Sequence, residues 1–214
     1  MRAVIFDLWD TLALWPSEDF ERVKRELSEH IDDFDGVWDT TYDARQRGTI
    51  EGYFRSLGVD GEALATCLRI RRSFTRDALV PREGAIETLD ELERRGFRRG
   101  VISVCSSDVE EAWDETDLAA HLDEVVLSCT VGLTKPDPRI YELACERLEV
   151  SPGDCLFVGD GANDELAGAE RVGMRAACIL PPGRAEPIWP EARGWDPTIT
   201  RLPEVLTLTG TRPL

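Results

Sequence analysis

The chain is short of the residues on which many sites depend. Two histidines, His30 and His121, leave no material for a histidine-rich transition-metal centre. Six cysteines are present but none forms a CxxC pair, and several, such as Cys155 in "CLFVGD", sit inside apolar runs; buried reduced thiols are expected rather than zinc ligands or disulfides. Long apolar runs are missing too. "MRAVIFD" offers only the stretch Ala3 to Phe6 before it meets an acid, which is too short for a signal segment or a membrane span. A cytoplasmic protein is expected. Positive charge is scarce: Lys and Arg total 25 against 42 Asp and Glu, for a net charge of −17. Such a surface repels nucleic-acid phosphates and anionic lipid head groups, so neither is an expected partner. Internal repeats and low-complexity tracts are also absent.

What remains is the composition of a soluble globular protein, 42% hydrophobic and 31% charged over 214 residues, enough to bury a substantial interior. Short β-branched or apolar runs end in small or acidic residues: "AVIFD" (3–7), "RRGVISV" (98–104), "EVVLS" (124–128), "CLFVGD" (155–160) and "RAACIL" (175–180). Between most of them lie stretches with helical spacing, such as "GAIETLDELERRG" (84–96), where Ile86, Leu89 and Leu92 mark one face. Alternating strand and helix predicts an α/β fold, a Rossmann-like doubly wound parallel sheet covered on both faces. The interval after the first strand breaks the rhythm. It holds amphipathic stretches at 19–31 and 61–74 and little that reads as strand, so residues 14–79 are expected to form a small all-helical insert, with 1–13 and 80–214 as the core. Within the insert, Tyr42, Arg45 and Arg47 offer a clamp for an anionic substrate, but such a run is more often a solvated helix face. The Pro- and Gly-rich segment 181–214 is expected to wrap the core as loops with one short helix.

In an open parallel sheet, ligands collect beyond the carboxyl ends of the strands. Asp7, Ser103, Lys135 in "GLTKPDPRIY", and Asp160 with Asp164 in "VGDGANDELAGA" all fall at strand ends or in the loops that follow. Asp7, Asp160 and Asp164 bring three negative charges into one crevice and Lys135 returns one positive. A divalent cation brings the sum to zero, and oxygen-only ligands select a hard ion, Mg²⁺. A strand-end carboxylate shielded in this way can attack phosphorus and split one hard transfer into two easier ones, which makes Asp7 the candidate nucleophile.

These residues resemble the haloacid dehalogenase-like superfamily of hydrolases. "FDLWDTL", Ser103 in "GVISV", Lys135 in "KPDPRIY" and "GDGANDELAGA" match its four motifs in order, and the helical insert is similar to its cap. The resemblance implies a phosphatase-type hydrolase of small phosphorylated metabolites. In it Asp7 is the nucleophile and Lys135 a charge clamp that also contacts substrate. Ser103 is a phosphate donor, and Thr11 orients the nucleophile's loop. Mg²⁺ is held by Asp7, Asp160, Asp164 and the Trp9 backbone carbonyl.

One position departs from that pattern. The family's phosphatases carry a second aspartate two residues after the nucleophile, as general acid and then base, and here Trp9 stands there. Asp10 is one place further and, in a strand, faces the other side. General acid-base catalysis is worth about 10² to 10⁴-fold, so good leaving groups are the expected substrates. Two other readings stay open. Dehalogenase members also carry an aromatic residue two places on and use no metal, and a weakly catalytic member would bind a phosphorylated ligand or a protein partner. The oligomeric state is not legible.

Overall fold

The structure, a computed structural model, describes residues 1–210. The last four residues of the 181–214 segment therefore lie outside the described residues. Strands β1 (Ala3–Phe6), β2 (Arg98–Ser103), β3 (Glu124–Leu127), β4 (Cys155–Gly159), β5 (Arg175–Ile179) and the two-residue β6 (Thr198–Ile199) pair in parallel in the order β3-β2-β1-β4-β5-β6. This is the Rossmann-like α/β fold. The first five strands form where the apolar runs predict them. β6 is new, because two residues carry no readable period.

β1 lies at the centre, with Phe6 level with Val101 on one side and Val158 on the other. Alternate residues of a strand point to opposite faces. Val4 and Phe6 therefore join Val101, Leu156 and Val158 under α6 (Ala85–Arg94), while Ala3 and Ile5 join Ile102 and Phe157 on the other face. That second face is covered by α9 (Pro138–Arg147) and α10 (Glu165–Arg171), through Ile140, Tyr141, Leu166 and Ala169. Short helices α7 (Ser107–Ala112) and α8 (Ser128–Val131) follow β2 and β3, and α11 (Val205–Thr209) is the short helix expected near the end.

Between β1 and α6 the described residues hold α1 (Ser17–Leu27), α2 (Phe34–Thr40), α3 (Tyr42–Arg45), α4 (Ile50–Ser56) and α5 (Gly61–Ala78), with no strand among them. The spacing Phe20, Val23, Leu27 on α1 and Leu64, Cys67, Leu68, Phe74, Ala78 on α5 presents one apolar stripe from each helix. With Phe34, Ile50, Tyr53 and Phe54, these stripes close a core separate from the two that flank the sheet. Trp9 packs against both this core and the sheet's, meeting Trp15 edge-on with ring centroids 5.0 Å apart. No helix among the described residues is long and apolar enough to cross a membrane.

Candidate active site

β1 ends at Phe6, so Asp7 leaves the sheet at its C-terminal rim, its N–H still donating to the Val158 carbonyl of β4 at 2.8 Å. β4 delivers Asp160 to the same rim, and the loop after α8 brings in Lys135. Asp7, Lys135 and Asp160 are all buried. The Lys135 Nζ donates to Asp7 Oδ1 and to Glu165 Oε2. Asp7, Asp160 and Glu165 each offer a carboxylate oxygen within 4.8 Å of the others.

Glu165 is the residue that sequence reading passed over, and Asp164 is a correction. Asn163 and Asp164 both take left-handed backbone, with φ of 56° and 54°. The two successive left-handed residues turn the chain before α10, so that Asp164 faces outward to Arg171 Nη1 at 3.0 Å and Glu165 faces the rim. Glu165 is wholly buried; its Oε1 accepts from the Gly161 N–H at 3.0 Å and its own carbonyl accepts from the Tyr141 hydroxyl at 2.9 Å. A Cβ on Gly159 would run into the Glu165 carboxylate, so the glycine makes room for it. Glu165 shares its helix face with the buried Leu166 and Ala169, and an acid in phase with an apolar stripe is the signal that could have found it.

The electrostatics of the cluster follow from burial. Burial pushes the Asp7 carboxyl from 3.8 up to about 6; Lys135 opposes the rise and Asp160 adds to it. Asp160 and Glu165 are raised for the same leading reason. Lys135 is raised too, because the pull of Asp7 and Glu165 outweighs its own desolvation. A lysine between two carboxylates is firmly charged, whereas three carboxylates sharing one lysine are under-compensated. Asp160 has two further donors, the Ala162 N–H to Oδ1 at 3.1 Å and the Trp189 indole Nε1 to Oδ2 at 2.6 Å. Nothing in the composition of 181–214 singles out Trp189.

The other expected site residues are placed less centrally. Ser103 at the end of β2 and Thr11 in the turn after Asp7 are fully buried, and no hydrogen bond joins either hydroxyl to Asp7 or Lys135 among the described residues. Trp9 lies in the same turn, its indole committed to the aromatic contact with Trp15. Asp10 is not in a strand. It takes left-handed backbone at φ 56°, its Oδ1 accepts from the Trp15 N–H at 3.1 Å, and its carbonyl accepts from the buried Arg82 at 3.1 Å. Burial raises its carboxyl as well.

Above the rim, the helical segment touches the core through polar contacts. Asn163 Nδ2 donates to the Tyr42 hydroxyl at 3.1 Å, the Ile50 N–H to Ser107 Oγ at 2.8 Å, and Arg71 Nη2 to Asp108 Oδ2 at 2.7 Å. Arg45 is not a solvated residue as its neighbourhood in sequence suggests: it is 4% exposed, with its guanidinium 3.5 Å from the Trp38 ring centroid. Arg71 lies in phase with the apolar stripe of α5 and is 2% exposed, and its Nε and Nη1 have no hydrogen-bond partner among the described residues.

Residues 1–173 match the family model of the haloacid dehalogenase-like hydrolases. The chain belongs to that family. This haloacid dehalogenase-like hydrolase is 28% identical over 202 residues to the glyceraldehyde 3-phosphate phosphatase of Methanopyrus kandleri, covering 81% of this chain and 82% of that one. It is 36% identical over 99 residues to the (S)-2-haloacid dehalogenase 4A of Burkholderia cepacia, covering 44% of this chain and only 41% of that protein's length. The fold matches the crystal structure of the HAD phosphatase from Thermococcus onnurineus with a TM-score of 0.74 at 22% identity, over the full length of both chains. The family thus holds both a phosphatase and a dehalogenase relative of this hydrolase.

The carboxylate cluster suits a hard divalent cation. It offers oxygen donors only, it carries two more negative charges than positive ones, and its acids are all raised by burial, an electrostatic cost that a bound cation offsets.

Proposed function

We propose that this hydrolase is a Mg²⁺-dependent phosphatase of small phosphorylated metabolites, working through an aspartyl-phosphate on Asp7 and favouring good leaving groups. The observation that carries the reading is the presence of Asp160 and Glu165 beside Asp7. A metal-free carbon-halogen cleavage has no use for Asp160 there, since close carboxylates raise one another and blunt the nucleophile. Asp7, Asp160 and Glu165 would hold the ion, which supplies charge neutralisation to the phosphoryl oxygens and lets Asp7 ionise.

The residues then act in two steps. Lys135, fixed between Asp7 and Glu165, keeps the Asp7 oxygen oriented and offers a cation to the phosphoryl group. An Asp7 carboxylate oxygen attacks phosphorus, the bond to the leaving oxygen breaks, and the leaving group departs with its electron pair. Water then attacks phosphorus, the bond to the Asp7 oxygen breaks, and inorganic phosphate leaves as Asp7 returns to its carboxylate. The position two residues after Asp7 supplies no carboxylate to protonate a leaving oxygen, since it is Trp9, and the next acid, Asp10, accepts from the Trp15 N–H. Acyl and aryl phosphates, which depart unprotonated, therefore suit the site better than alkyl esters. In this reading the helices of 14–79 act as a cap that shields the phosphoryl group from bulk water. Its contact Tyr42 to Asn163 reaches the loop that carries Asp160, and Arg71 to Asp108 ties it to α7, the helix after β2. In the same reading Ser103, whose buried hydroxyl has no partner among the described residues, donates to the phosphoryl group, Thr11 orients the loop after Asp7, and the protein works in the cytoplasm.

The aromatic Trp9 favours a second reading, a haloacid dehalogenase, since a halide needs no proton. One pair of assays separates them. Hydrolysis of p-nitrophenyl phosphate and acetyl phosphate should require Mg²⁺ and vanish in Asp7→Asn. Halide release from 2-chloropropionate in EDTA, with both phosphates untouched, would overturn the phosphatase.

A further inference from the structure

Asp160 is held by two neutral donors of different origin. The Ala162 N–H belongs to its own loop, but the Trp189 indole comes from the segment between β5 and β6, which crosses the rim of the sheet. That segment is docked independently of the indole. Ala192 is 1% exposed and lies against Gly161, where a Cβ would strike it, and the Trp195 indole donates to the Ala176 carbonyl at 3.3 Å. Trp189 itself is 39% exposed, so hydrophobic burial is a poor account of its position. What its ring does contribute is one N–H, 2.6 Å from Asp160 Oδ2.

We propose that Trp189 is a positioning residue: its indole N–H locks the rotation of the Asp160 carboxylate so that a lone pair is held toward Asp7 and Glu165. A donor on each oxygen leaves the carboxylate one orientation, and a cation finds its ligand already in place. The neutrality of the donor matters as well. An arginine or lysine at this position would cancel part of the negative charge that draws a dication, whereas an indole orients the ligand and leaves its charge intact. The inference rests on the reading that the cluster takes a divalent cation.

The test uses Mn²⁺ alone as probe, followed by electron paramagnetic resonance, on the wild type, Asp160→Asn, Trp189→Phe and Trp195→Phe. Trp189→Phe should weaken Mn²⁺ binding by about 10 to 100-fold, the range for loss of a group that orients a metal ligand, while Trp195→Phe binds like the wild type. In ¹⁵N-labelled protein, the indole resonance that disappears in Trp189→Phe should lie downfield in the wild type and move upfield when Mg²⁺ is added, as the carboxylate it donates to is neutralised. A purely packing tryptophan would show no such shift. If Asp160→Asn binds Mn²⁺ as the wild type does, the divalent-cation reading itself fails. If Asp160→Asn loses Mn²⁺ but Trp189→Phe binds as tightly as the wild type or tighter, or Trp195→Phe weakens it equally, that reading stands and the positioning role is overturned.

Discussion

Replacing the nucleophile should make the metal-free protein more stable. Asp7 has a folded-state pKa of about 6 against 3.8 in the open chain, with burial as the main cause. A carboxyl raised on folding is penalised when ionised. Its cost is absent below about pH 4, grows as the pH passes through 6, and is complete above about pH 7. A shift of about two units at about 1.4 kcal/mol each makes the full cost about 3 kcal/mol. Asp7→Asn removes that charge and leaves Lys135 its ion pair with Glu165, so no buried cation is orphaned. That shift is already net of the attraction to Lys135; the cost of a less well paired buried amide leaves about 1–3 kcal/mol. For a chain of this size each kcal/mol moves Tm by about 2–4 °C, so a rise of about 2–12 °C is expected at pH 7.5 in EDTA. The advantage should be about halved at pH 5 and gone below about pH 4. Mg²⁺ should raise the Tm of the wild type and narrow the gap. Thermal unfolding of both proteins across pH 4–8 checks this, and an Asp7→Asn protein less stable than the wild type at pH 7.5 would refute it, since Lys135 would then outweigh burial.

Three further outcomes are expected. Glu165→Gln should weaken Mn²⁺ binding at least about ten-fold while Asp164→Asn, which loses only an exposed pair with Arg171, leaves it nearly unchanged; the reverse order in a titration would restore Asp164 as the ligand. Asp108→Asn should cost about 3–5 kcal/mol in urea unfolding, because it leaves the buried Arg71 without its carboxylate, and a loss below about 1 kcal/mol would show that solvent reaches the pair. Trp9→Asp should raise turnover of alkyl phosphates relative to p-nitrophenyl phosphate, by up to about 10² to 10⁴-fold, at the expense of a lower Tm from the lost Trp15 contact; an unchanged ratio of the two rates would argue against a missing acid as the limit.

The sequence by itself determined five of the six strands and the helical character of most of what lies between them. Strand and helix periods are local, so "AVIFD", "GVIS" and "CLFVGD" announced a parallel sheet, and the polar residues that close them announced a rim where Asp7, Lys135 and Asp160 meet. The family followed from the order of those stretches. Tertiary structure decided which polar groups at that rim face one another. Two left-handed residues rotate Glu165 inward and Asp164 outward, which no spacing rule foretells. Packing of the helices between β1 and α6 desolvates Arg45, though its neighbours in sequence suggest solvent. The chain's return across the rim sets the Trp189 indole on Asp160 from 29 residues away. Periodicity reports which face of an element is apolar; the orientation of one carboxylate depends on donors brought from distant segments, and those are known only once the chain has closed on itself.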